Sequence, residues 1–590
     1  MLKELLQQAT SNNGKARSYA IENTVELTNL IPPTVSYESG GHTLIIGPTD
    51  IIQATAKQLS SMASLTLLST DGEKGESNNI YFSSSIEVSG FLGTFHVHIS
   101  HHGEADLNAG GFRSESKRNL ATIAVNQECF DVILDLSLTG IMKEEVPVPG
   151  YYPVGRGYPS MQQALSEIPT LMGTFDKPKY FRLDTDLCAH SSRGVKGCDR
   201  CVDACPAGAL SSIGSDKTGY NIEINPYLCQ GVGTCATSCP TEAIRYALPN
   251  PEETQQFVER TLENYRKAGG EHPIVLFCSA RHEQYTIMAL KQLPDNVIPI
   301  VVEELPSVGI DTWFAALTNG ATQVLFAASQ HMPPTIIRVL TKEVAMAQAL
   351  LAPLRIASDC IEILYLESMH RVKADSGSQQ DQTSAVNTLD LQTPDRQIPS
   401  LQTKVLSPIM GGVSGSKRHR LFESLDTLTR HHQPTENTTP LMESAPYGSV
   451  DCESKDCTLC MACVAVCPTR ALHHDGESPS LLFIEQDCIQ CGMCEKACPE
   501  SALSLSPRIN WDSEQRNKAV VLHHEKPAEC LRCSKPFAPQ SMITMLQDRL
   551  RGHSMFADDV AINRIAMCED CRVKDVFEAM ADDPTKQLTY

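Results

Sequence analysis

The alternation of apolar and polar stretches divides the chain before any chemistry is considered. In residues 1–180, "HTLIIG" (42–47) and "LTLLST" (65–70) read as buried strands flanking a helix over 49–62. "TFHVHIS" (94–100) and "DVILDLS" (131–137) read as further strands. Residues 251–370 repeat the pattern. There "PIVLFC", "NVIPIVV", "ATQVLFAAS" and "CIEILYL" alternate with helices predicted near 281–293, 311–319 and 335–351. Apolar strands alternating with helices imply βαβ units and parallel sheets. Residues 371–450 lose this rhythm. They are rich in Gln, Ser, Thr, Asp and Pro and are expected to form a flexible linker. One stretch departs from it: "GSKRHRLFESLDTLTRH" (415–431) has the pattern of a short amphipathic helix, basic at its start. It would dock on the body, dock on a partner, or fray within the linker.

Charge and termini narrow the setting. The 590 residues carry a formal charge of -21, which argues against a nucleic-acid partner. No apolar run reaches the ~18 residues a membrane span needs. The start, "MLKELLQQATSNNGKARSYAIENT", shows neither an apolar signal core nor a twin-arginine pair. A cytoplasmic location is therefore expected. In that reducing setting the 23 cysteines read as metal ligands rather than disulfides.

All cysteines except Cys129, Cys278 and Cys360 fall in two blocks, 188–239 and 452–571. Those three sit singly in apolar stretches and read as small buried hydrophobes. "CTLCMACVAVCP" supplies Cys457, Cys460, Cys463 and Cys467. "CIQCGMCEKACP" supplies Cys488, Cys491, Cys494 and Cys498. Both are C-x2-C-x2-C-x3-C-P, a spacing that wraps soft thiolates around an iron–sulfur cubane. Zinc sites instead use two pairs across a long gap. The unit recurs, since "CPAGAL", "CPTEAI", "CPTRAL" and "CPESAL" each follow a fourth cysteine. Apolar strands precede the quartets in "KYFRLDTDLC", "YNIEINPYLC" and "LLFIEQDC".

On these residues the chain resembles the bacterial dicluster ferredoxins over roughly 185–245 and 450–505. As a whole it resembles polyferredoxin-type 4Fe-4S binding proteins. In such ferredoxins the fourth cysteine of each run ligates the other cluster. The resemblance therefore assigns a third site to Cys457, Cys460, Cys463 and Cys498, and a fourth to Cys488, Cys491, Cys494 and Cys467. The earlier block departs twice from the pattern. Where the first cysteine of its first run is expected stands Val195, and Cys188 lies further back. Gly194 and Gly197 would let the longer loop bend. The first site is then Cys188, Cys198, Cys201 and Cys239, with Arg193 and Lys196 as nearby charges. The second departure is Val232, which leaves Cys229, Cys235 and Cys205 as three thiolates for the second site. Ferredoxins with one three-iron cluster lack this same cysteine, so the resemblance implies [3Fe-4S]. A [4Fe-4S] cluster with another ligand and an empty, structural half-module stay open.

"ECLRCSKPF" and "AMCEDCRVKD" place Cys530, Cys533, Cys568 and Cys571 as two pairs across a helix near 540–551. They read as a closed four-thiolate zinc site, with a further iron–sulfur cluster or free thiols as alternatives. Cys452 is left over ahead of the third run. "IIGPTD" offers one glycine of a phosphate-binding turn, so a plain βαβ unit is expected there, with a nucleotide site as the alternative. Residues 251–370 are similar to the small hydrogenase subunit of heterodisulfide reductase systems. They lack that family's cluster cysteines, and a scaffold is expected.

The expected fold is multidomain α/β plus α+β. An α/β scaffold (1–180) leads to a dicluster module (181–250), a second α/β domain (251–370) and a linker (371–450). A second dicluster module (451–506) and a zinc-ribbon-like tail (507–590) follow. The expected function is electron relay, through three [4Fe-4S] clusters and a fourth of either type, beside a larger oxidoreductase. The resemblance suggests a formate dehydrogenase system as that partner. A maturation factor or redox sensor for a metalloenzyme is the alternative.

Overall fold

A computed structural model describes residues 9–25, 32–71, 80–83, 85–100, 117–157, 159–190, 196–215, 217–282, 287, 290–291, 293–329, 332–365, 415–476, 478–556 and 558–582. Arg193, Gly194, Val195 and linker residues 371–414 lie outside them, as does most of the helix expected near 281–293.

Two parallel sheets carry the α/β units. The first runs Ile80–Phe82, Ser64–Ser69, His42–Gly47, Val132–Asp135, Tyr151–Pro153 in spatial order, every pairing parallel. The helix Thr49–Ala56 makes the crossover between its first two strands in sequence. Its N-terminus, where a phosphate would sit, faces a carboxylate instead. Asp71 accepts from the Thr49 amide at 2.9 Å and from its hydroxyl at 2.7 Å. This supports the plain βαβ reading.

The second sheet runs Val297–Val302, Ile274–Ser279, Gln323–Ala328, Ile361–Tyr365, again all parallel. Its strands are near-continuous Val, Ile, Leu and Phe because helices cover both faces. Cys278 is wholly buried in the second of them. Two helices missing from the sequence reading pack here. Pro251–Lys267 starts with a capping box between Asn250 and Glu253. Asn12–Asn23 lies against it, although it precedes the first sheet in sequence, with Arg17 donating to Asp295 and to the Val297 carbonyl.

The stretch at 417–431 docks on the body. The helix Lys417–His431 buries Leu421, Phe422, Leu425 and Leu428 in the same core as Trp313, Ile509 and Trp511. Val232 of the first module belongs to that core too. The second α/β unit is thus a platform on which both cysteine modules rest. Arg420 fixes the helix in place. It is 1% exposed and donates to Glu242 and Asp311, each at 2.7 Å. Truncating Arg420 strands two buried carboxylates, so Arg420→Met is expected to cost about 3–5 kcal/mol. Urea unfolding followed by tryptophan fluorescence reads this core directly, because Trp313 and Trp511 both lie in it.

Candidate cluster sites

The four cysteine runs share one local backbone. Three residues after each fourth cysteine the chain turns through the left-handed region: Gly208 (φ 59°), Glu242 (60°), Arg470 (59°) and Ser501 (52°). Short helices follow the third-site and fourth-site loops, at Ala462–Val466 and Met493–Ala497, and Thr234–Ser238 is their equivalent. In the third-site and fourth-site runs the residues flanking the second cysteine are also left-handed. They are Leu459 and Met461 around Cys460, and Gln490 and Gly492 around Cys491. Gly231 and Gly233 do the same around Val232. The valine therefore occupies the second-cysteine place in an otherwise regular loop.

These loops close around three cavities. One is lined by Cys457, Cys460, Cys463 and Cys498, another by Cys467, Cys488, Cys491 and Cys494. The third is lined by Cys205, Cys229 and Cys235 together with Val232. Each encloses a cavity volume of about 20 Å³, so the three-thiol cavity beside the valine is as large as the two four-thiol ones. In every case the fourth cysteine of one run faces the thiols of its neighbour. Two of these crossing sulfurs accept a backbone amide at 3.3 Å, Cys205 from Ala209 and Cys498 from Ala502.

The remaining module cysteines also gather. Burial raises the Cys201 thiol strongly, and Cys239, Cys198 and Cys188 raise it further. Cys188 therefore faces this group although it precedes the long insert. His190, not singled out in the sequence, anchors the insert. It is fully buried, and Nδ1 donates to the Cys198 carbonyl at 2.8 Å. Its Nε2 lies 2.7 Å from the Ser212 hydroxyl. Lys196 is exposed and pairs with Asp199 at 3.7 Å.

The donor chemistry suits iron–sulfur clusters. Burial, then neighbouring thiols, pushes Cys463 up to about 12 and Cys235 well above its usual value. Burial also takes Cys491 up to about 11. Such converging buried thiols ionise together only around a cationic centre.

The second site has basic neighbours that the sequence did not flag. Lys177 Nζ donates to the carbonyls of Tyr227 and Cys229 at 2.8 and 2.7 Å. Arg281 donates to the Gln230 carbonyl and pairs with Glu304 at 3.4 Å. Tyr246 donates to the Gly231 carbonyl. At the third site, Cys452 is not a spare thiol. Its strand pairs Cys452 opposite Leu503, and a hydrogen bond from it holds the Cys457 thiol down to about 7.

The last four cysteines form a separate group. The ligand atoms of Cys530, Cys533, Cys568 and Cys571 all lie within 4.8 Å of one another, an arrangement able to hold a metal ion. The hairpin Pro527–Glu529/Pro536–Pro539 and the helices Gln540–Leu550 and Glu569–Asp582 build the tail around it. Arg549 ties this tail to Glu500, which lines the third-site cavity, at 2.9 Å.

Comparison with known proteins adds chemistry to this geometry. Residues 196–243 match a family model described as a 4Fe-4S dicluster domain, and residues 456–503 match a second model of that description. The first match starts after Cys188, the displaced cysteine. No curated protein matches the chain. Among the described residues no helix is long and apolar enough to cross a membrane. The chain thus contains two 4Fe-4S dicluster domains of ferredoxin type, which imply [4Fe-4S] clusters and point to a role in electron transfer.

Proposed function

We propose that the chain is a multi-cluster carrier that relays single electrons to or from a larger oxidoreductase. The carrying observation is the crossed arrangement of thiols around cavities of nearly one size. The first, third and fourth sites would hold [4Fe-4S] clusters. The second, where Val232 offers no ligand, would hold [3Fe-4S]. When bound, each such cluster takes up and gives back one electron at a potential set by its surroundings.

The surrounding residues would tune and shield these sites. Amide donation from Ala209 and Ala502 to cysteine sulfur favours the more negative, reduced form. Lys177 and Arg281 act in the same direction on the second site through their charge. The tail tetrad would hold zinc and brace a small domain with little core of its own. A formate dehydrogenase is the first partner to test.

A maturation factor that gives a cluster away would need an accessible, labile site. Cys229, Val232 and Cys235 are all buried, which favours retention and hence the carrier. Anaerobically purified protein is expected to contain iron and labile sulfide for at least three cubane clusters, with about one zinc. Iron for only two clusters, without zinc, would contradict the assignment.

A further inference from the structure

The two cysteine modules are far apart in sequence yet meet at their cluster loops. A side chain at Gly197 would come within 3.0 Å of the Met493 sulfur, so the loop before Cys198 packs directly on the loop after Cys491. Lys496 reaches the Lys196 carbonyl at 3.4 Å across the same seam.

The helix Lys417–His431 holds this seam from one side. Lys417 donates to the carbonyls of Thr237 at 2.6 Å and Cys239 at 3.4 Å, in the first module. The next residue, Arg418, donates to the carbonyls of Cys488 at 2.7 Å and of Gln486, in the second, and to that of Pro446, just before it, at 2.7 Å. Its guanidinium also lies over the Phe422 and Tyr447 rings. Two adjacent cations thus grip the backbone of a first-site cysteine and of a fourth-site cysteine. Within each module the sites also approach one another. Cys201 of the first site packs in one buried cluster with Cys235 of the second, and Cys463 of the third packs in another with Cys494 of the fourth.

We propose that the four sites form one continuous electron path in the order second, first, fourth, third, crossing between modules where Gly197 meets Met493 and clamped there by Lys417 and Arg418. This rests on the carrier reading and adds its route. At each step one electron leaves a reduced site and arrives at an oxidised neighbour. No bond forms or breaks and no proton is required. A low-potential one-electron donor supplies the path at one end. Cys460, exposed to solvent, marks the third site as the end open to a partner.

The test is electron paramagnetic resonance of the full chain during stepwise reduction with dithionite. Once the first and fourth sites are both reduced, each should split or broaden the other's signal. Removing the first cluster by Cys201→Ser should abolish that contribution and leave the fourth-site signal interacting with the third site alone. The double variant Lys417→Gln/Arg418→Gln should weaken the interaction at unchanged iron content. A fourth-site spectrum indifferent to the state of the first site would overturn the path and leave the carrier reading standing. An interaction undiminished in the double variant would overturn the clamp. Absence of clusters from the wild-type chain would overturn both readings. If Cys201→Ser loses every cluster, the wild-type titration still decides, because the interaction must grow with the joint reduction of the two sites.

Discussion

Cys498→Ala is expected to remove the cluster at Cys457, Cys460 and Cys463, and to spare the one held by the other cysteines of its own run. The reason is geometric. Cys498 lines the third-site cavity, while Cys488, Cys491 and Cys494 line a different one with Cys467. Loss of the fourth thiolate, and of the sulfur that accepts the Ala502 amide, leaves one iron corner without a ligand. Iron should fall by up to about four per chain. The surviving fourth-site spectrum identifies which cluster went. Cys452 sharpens the outcome. It sits beside Cys457, on a strand paired to Leu503, so it is a thiol outside both runs that lies near the damaged site. Cys498→Ala/Cys452→Ala should therefore lose at least as much iron as the single variant. Selective loss of the fourth-site signal would refute the crossed pairing.

Val232→Cys should convert the second site from three irons to four. The backbone is already in place, with Gly231 and Gly233 in the left-handed conformations that flank Cys460 and Cys491. The side chain borders the cavity and is 5% exposed, so a thiol there faces the vacant corner without rebuilding the loop. A swap of this size in a packed core costs below about 1.5 kcal/mol. Oxidised wild-type protein should show the signal of a [3Fe-4S] cluster. The variant should lose that signal, gain about one iron, and move to lower potential through the added thiolate charge. Four intact cubanes in the wild type would overturn the three-iron reading and require a replacement ligand.

Much of this organisation is legible in the sequence. Local signals survive folding: the apolar runs at 274–279, 297–302, 323–328 and 361–365 are strands, and the repeated CP-x-x-A turn reappears as four matching left-handed residues. Signals that depend on distant contacts do not survive in one dimension. The basic start of 417–431 leaves docking on the body, docking on a partner and fraying all open until the fold brings the Cys239 and Cys488 carbonyls to it. Asn12–Asn23 has little amphipathic contrast, and its place follows from Asp295 and from the helix Pro251–Lys267. That second helix was legible, because Asn250 and Glu253 spell a capping box. Cys452 looked spare because a strand pairing, not a motif spacing, brings it to Cys457. His190 carried no signal at all. Its role exists only because an insert had to be tied back to Cys198 and Ser212.

The central claim is that this chain passes electrons while keeping its clusters. Repeated coulometric reduction and reoxidation of the anaerobic full chain, with iron and sulfide assayed after each cycle, tests it most directly. The account predicts the same number of electrons taken up and returned in every cycle, about one per cluster, with iron and sulfide unchanged. Electron uptake that falls from cycle to cycle as iron is released would contradict it, and would identify a protein that gives its clusters away.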